Sequence, residues 1–242
     1  MGKCISYNEI EELCEALIRD YIKRKKYRNM FCVDIEGFIT EYLGARIEYE
    51  SFAEEDQNKV GFLSDGKTKL KVWRAGKIVE VLYPKDTVVI EKILQGPGES
   101  GRKRFTIAHE GAHLILQKHC SMRTQAYFHS DFDSEAECSP AMMKDLFDLY
   151  ESYANRGAAC LLMPGFLMAD LIVKYNRGAP VKIYGSNILA ERERLLIQKM
   201  ADTAGVSYTA LFNRTRELKL LEYRSMDEYL ASNFYKKGRG NG

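Results

Sequence analysis

The chain has 242 residues, 45% of them hydrophobic and 29% charged. That balance suits one domain of about 150–180 residues with a smaller appendage, and it excludes disorder, collagen-like repeats and low complexity for most of the length. The 36 Lys+Arg against 34 Asp+Glu leave +2 at pH 7, which argues against a protein whose main task is coating nucleic acid but does not exclude a local basic patch.

Asn8 or Ser6 can cap a first helix reaching about Arg24, with Ile10, Leu13, Leu17, Ile18, Tyr21 and Ile22 at helical spacing. Asp34 caps a second helix, which Gly44 ends. The next fifty residues or so change period. Arg46–Glu50, Val60–Leu63, Lys69–Trp73, Ile78–Leu82 and Val88–Leu94 read as short strands, with Asp65-Gly66 and Ala75-Gly76 as turns, which predicts an antiparallel meander. The glycine-rich stretch Gln95 to Lys103 reads as a loop.

Helical spacing returns in Phe105–Lys118, Ala141–Met163, Pro164–Tyr175 and Ile188–Thr203, then in Ser207–Leu218 and Met226–Phe234. The end, Lys236 to Gly242, reads as a frayed tail. The class is α+β. The expected domains are 1–178, a helical subdomain at 185–224 and a terminal helix and tail at 225–242. No apolar run follows the start, and no stretch is long enough to span a bilayer, so a cytoplasmic chain without a membrane segment is expected. Cys4, Cys14, Cys32, Cys120, Cys138 and Cys160 form no CxxC pair, and reduced thiols are expected.

The chemistry centres on His109-Glu110-Gly111-Ala112-His113, an HExxH motif. On a helix, residues four apart lie about 40° apart around the axis and one turn up, so both imidazoles can share one metal ion. Glu110 sits on the flank of that face and can reach a water on the metal, which zinc acidifies to a pKa of about 7. Histidine is scarce, with four in the chain, and two fall in this frame. One zinc per chain is expected.

A catalytic zinc site needs a third protein ligand. His119 would serve if the chain turned after Leu116, but no glycine is there, and on a continuous helix His119 points roughly 100° away from the pair. Glu151 shares a predicted helix face with Ala154, Asn155, Ala158 and Leu162, and a carboxylate on so small and apolar a face calls for a partner or a metal. A plain surface glutamate is the competing reading. Asp148 is an alternative ligand one turn earlier, and Asn155 could orient a ligand from one turn later.

The run Arg102-Lys103-Arg104-Phe105-Thr106-Ile107-Ala108 leading into the motif resembles the signature of the ImmA/IrrE metallopeptidases, where a basic pair, Phe-Thr, an aliphatic residue and Ala precede HExxH. Leu161-Leu162-Met163-Pro164, behind Glu151 and Asn155, is similar to that family's second signature. Gly111 and Ala112 depart from the bulky residue and glycine usual inside the motif. The resemblance covers about residues 8 to 220. It implies a zincin-like motif helix, metal ligation by His109, His113 and Glu151, and a general-base role for Glu110. It also implies a cytosolic zinc protease that cuts a helix-turn-helix repressor governing a mobile element or stress operon.

Two other readings stand beside it. Ala201, Gly205, Val206, Ser207 and Leu211 have helix-turn-helix spacing, with Arg214, Arg216 and Lys219 on or near the second helix, as a zinc-containing DNA-binding regulator would have. Residues 185–242 carry ten Lys/Arg against seven Asp/Glu, a weak excess for a DNA reader, so a packing or partner-docking subdomain is favoured. An inactive, zinc-stabilised scaffold is the other. The strand Val88–Leu94 could be a sheet edge that takes an extended substrate, or a core strand. The acidic Asp131, Asp133, Glu135 and Glu137 could belong to a flap or a solvated loop.

Overall fold

The computed structural model describes residues 5–55, 59–119 and 140–234. Asp131, Asp133, Glu135 and Glu137, the cysteines Cys4, Cys120 and Cys138, and the expected tail at 236–242 lie outside the described residues. The protein is mixed α+β. It forms two compact units, one within Met1–Arg28 and Val33–Pro164, the other within Asn29–Cys32 and Gly165–Gly242. The break follows Pro164, inside the 1–178 span expected of the first domain. Pro164 lacks the N–H that would continue a helix.

In the first unit, α1 (Tyr7–Lys25) starts at a capping box: Ser6 Oγ accepts from the Glu9 N–H at 3.2 Å, and the Glu9 carboxylate accepts from the Ser6 N–H at 2.7 Å. Its buried face is Ile10, Cys14, Ile18 and Tyr21. Asp34 caps α2 (Ile35–Gly37), accepting from the Gly37 N–H at 3.0 Å, and α2 opens into a π-helical turn over Phe38–Tyr42.

The strands are β1 (Arg46–Glu50), β2 (Gly61–Leu63), β3 (Lys69–Arg74), β4 (Lys77–Leu82) and β5 (Thr87–Glu91). They do not form the antiparallel meander. β1 pairs in parallel with β5, from Arg46–Thr87 to Glu50–Glu91, and β2 pairs antiparallel on the other side of β5. β3 and β4 form a separate hairpin. The reason is the burial of β5. Thr87, Val88, Val89 and Ile90 are all buried, and a strand covered on both faces belongs in the middle of a sheet.

Val89 packs with Phe62, Leu70, Val72 and Tyr83, so the hairpin covers one face. Helix α3 (Ser100–His119) lies against β2 and β5. It starts five residues earlier than Phe105, in the expected loop. Helix α4 (Pro140–Leu162) packs on α3 and α1.

The second unit runs α5 (Gly165–Asn176), β6 (Val181–Tyr184), α6 (Glu191–Ala204), α7 (Tyr208–Glu217), β7 (Leu221–Arg224) and α8 (Met226–Asn233). Gly205 ends α6 at φ 66°, and the Ser207 hydroxyl caps α7 by accepting from the Ala210 N–H. The subdomain expected to be helical instead frames α6 and α7 with a parallel strand pair, Val181–Leu221 to Tyr184–Arg224. Residues 29–32 join this unit, where the Lys174 ammonium lies 4.1 Å from the Phe31 ring centroid. Among the described residues no single helix is long and apolar enough to cross a membrane.

Candidate metal centre

Small residues decide how closely α3 can be approached. A Cβ on Gly157 of α4 would lie 2.7 Å from the Ala112 Cβ, so that point of α4 admits glycine alone. A Cβ on Gly111 would collide with Ile39 of the π-helical turn. The two small residues inside the motif are therefore contact points, one for each neighbour. Ala154 and Ala158 are fully buried beside Gly157.

That packing brings three side chains together. His109 Nε2 lies 3.1 Å from one Glu151 oxygen, His113 Nε2 lies 3.3 Å from the other, and the two Nε2 atoms are 3.0 Å apart. Their ligand atoms all fall within 4.8 Å of one another. The His109 ring is fixed from behind, with Nδ1 3.1 Å from Asn155 Oδ1. An amide oxygen only accepts, so Nδ1 carries the proton and Nε2 presents a lone pair. His113 rests on the buried Tyr150 ring, centroids 4.8 Å apart.

Lone pairs and a carboxylate facing one point need a cation there, either a proton or a metal ion. Burial works against a charged His109, yet the Glu151 contact and the charges of Glu110 and Glu151 outweigh it and raise its pKa above the ordinary histidine value. Burial also pushes Glu151 upward, but its bonds to His109 and His113 prevail and hold it at about 2. Two imidazole nitrogens and a carboxylate oxygen are a donor set that suits a transition metal, and the group could hold one.

Glu110 is not in that cluster. It is 8% exposed, and β2 crosses directly over it: a Cβ on Gly61 would strike its carboxylate and the Thr106 methyl group. Burial raises the Glu110 pKa, against the pull of His113 and His109. Gly61 has no place among the residues picked out from sequence. Its signal was there, as an isolated glycine within a strand often marks close approach of the backbone.

The other candidates fall elsewhere. α3 stays helical through His119, which is exposed at its end and outside the cluster. Asp148 is exposed one turn before Glu151 and outside it too. Val88–Leu94 is no edge, since β5 is paired on both sides and gives way to a 3-10 turn at Lys92. The edge beside Glu110 is β2. In the second unit Arg214, which the DNA-regulator alternative would have needed at the surface, has a fully buried side chain that bonds to Glu217 at 3.3 Å. Arg216 is exposed, bonds to Asn187 and lies over the Phe212 ring, and Lys219 is exposed just beyond α7. The chain matches no protein-family model and no curated protein.

Proposed function

We propose that the chain is a zinc-dependent endopeptidase of the ImmA/IrrE type, acting in the cytoplasm on a helix-turn-helix repressor. The observation that carries this reading is the convergence of His109, His113 and Glu151 from two helices beside a buried Glu110. The repressor as substrate rests on the resemblance of the two signatures.

A zinc ion held by these three residues would supply a Lewis acid that brings the pKa of a water to about 7. Glu110 takes the proton of the attacking water and returns it to the leaving amine. Its raised pKa suits both steps, because a carboxylate held above its ordinary value by burial takes up a proton more readily. Asn155 holds the His109 ring in one tautomer. Among the described residues β2 is paired on one side only within its sheet, and an extended substrate can add to its other side next to Glu110. In this reading α3 is a zincin-like motif helix. The α6–α7 pair is helix-turn-helix-like and docks a partner, since a buried Arg214 leaves little basic surface for reading DNA.

Metal analysis of the purified protein is expected to find about one zinc per chain. Glu110→Gln keeps size and hydrogen bonding but cannot take the proton, so it should retain zinc and lose repressor cleavage. A variant cutting as fast as the parent overturns the base role. A zinc-loaded parent that cuts nothing indicates a scaffold. Duplex binding that survives EDTA and is lost in Arg216→Ala/Lys219→Ala indicates a regulator.

A further inference from the structure

Strand β7 lies at the edge of its sheet. β6 is its one strand neighbour among the described residues, and the ladder shows which way its backbone points. The Val181 N–H donates to the Leu220 carbonyl at 3.0 Å, and the Gly185 N–H donates to the Arg224 carbonyl at 2.9 Å. Such groups alternate along a parallel strand, so Leu220, Glu222 and Arg224 turn their carbonyls to β6, while Leu221 and Tyr223 turn theirs outward. Tyr223 is 61% exposed, a large aromatic residue in the middle of this edge.

An open edge is a template for another strand. The side chains of β7 say which one. Glu222 and Arg224 share one face of the strand, on either side of Tyr223. Arg224 bonds to Glu222 and, at 3.3 Å, to Glu228. Opposite charges placed symmetrically about one residue make a strand complementary to itself. When two copies of β7 pair antiparallel with Tyr223 opposite Tyr223, Glu222 of each copy falls opposite Arg224 of the other. Each carboxylate then has one guanidinium beside it on its own strand and a second across from it. β1 is an edge strand too, and it fails the same test, because Glu48 at its centre would meet Glu48.

We infer that the chain forms a two-fold symmetric dimer through β7, which joins two small sheets into one of four strands in the order β6-β7-β7-β6. The interface is isologous, the same patch on both copies. The Tyr223 N–H and C=O of each copy bond to those of the other, and the two tyrosines form an aromatic cross-strand pair on the axis. Three residues on, Met226 opens an apolar stripe on α8 with Leu230 and Phe234, which are 38%, 40% and 63% exposed and stand at the four-residue spacing of one helix side. A strand from another protein would need these charges in reverse order, and a second copy has them by symmetry.

An interface of this extent sits at the low end of specific contacts, so a dissociation constant in the micromolar range is expected. Sedimentation of the full-length chain from about 1 to 100 µM should show monomer passing into dimer. Glu222→Arg and Arg224→Glu, each alone, set like charges opposite one another and should weaken the dimer by about tenfold or more. An equimolar mixture of the two variants restores both opposite pairs and should dimerise about as tightly as the parent, which variants that had merely misfolded could not do. The seam lies within the second unit, so Glu110→Gln and EDTA should leave the dimer intact, which keeps this result separate from the peptidase reading. A parent that stays monomeric throughout leaves the edge to solvent or to another protein's strand and overturns the inference. So do single variants that dimerise as the parent does, a mixture that stays monomeric, or a dimer that dissolves in EDTA.

Discussion

In the α3–α4 pair, His109, His113 and Glu151 turn their nitrogens and oxygens toward one point, with 3.0–3.3 Å between them. In the α6–α7 pair, the buried Arg214 reaches Glu217 on its own helix, and the buried Glu193 accepts from the neighbouring Arg192. Both regions sequester charge, but its arrangement differs. The second region meets each charge with an opposite one from the protein. The first gathers groups that share a need for a cation, and that asymmetry separates a site from a support.

The sharpest way to break the comparison is Glu151→Ala. If the α3–α4 cluster is a metal centre, losing this ligand should weaken zinc affinity tenfold or more and abolish cleavage, as metal titration and a cleavage assay would show. Unchanged zinc affinity would make Glu151 a structural partner of the histidines, no different in kind from Glu217. Next in size is Arg214→Ala. Glu217 is 40% exposed and can return to water, so the cost is that of the lost packing and contacts of a fully buried side chain, about 2–5 kcal/mol, read by urea denaturation of the second unit, with zinc content unchanged. Zinc loss in this variant would mean the regions are not independent.

Gly61→Ala sharpens the contrast from another side. The new methyl group must displace the Glu110 carboxylate, so turnover should fall by about tenfold or more while zinc stays bound, because the base loses its position but no ligand is touched. The smallest expected effect is that of His119→Ala. An exposed helix-terminal residue outside the cluster should change stability by less than about 0.5 kcal/mol and zinc content not at all. A large effect there would reopen the choice of third ligand.

The parts of this architecture that sequence could reveal are those set by neighbours in the chain. Four residues of spacing put His109 and His113 on one face, whatever else the protein does. Ser6 and Asp34 cap helices through side chains that act within three residues. Glu151 was harder: its small, apolar helix face singled it out without separating a ligand from a surface carboxylate, and the resemblance pointed to the same residue. What stayed hidden was non-local. The parallel pairing of β1 with β5 leaves no mark on either strand. β6 and β7 are four residues each, and Lys182, Glu222 and Arg224 break their apolar character. The burial of Arg214 depends on surroundings that a helical pattern does not encode.

The turn of the hairpin settles more than a reversal of direction. Ala75 and Gly76 both have positive φ, 50° and 74°, as a two-residue turn of this handedness requires. Such a turn leaves the strands one way to pair, Arg74 with Lys77 and then outward to Lys69 with Leu82. A slip of one residue would exchange the two faces completely, carrying Lys71 and Trp73 into the layer beside Phe62 and turning Leu70 and Val72 to water. Ala75 bears the left-handed backbone at a cost of about 1–2 kcal/mol. That strain, at the tip of the hairpin, is what keeps Lys69 and Lys71 on the outside.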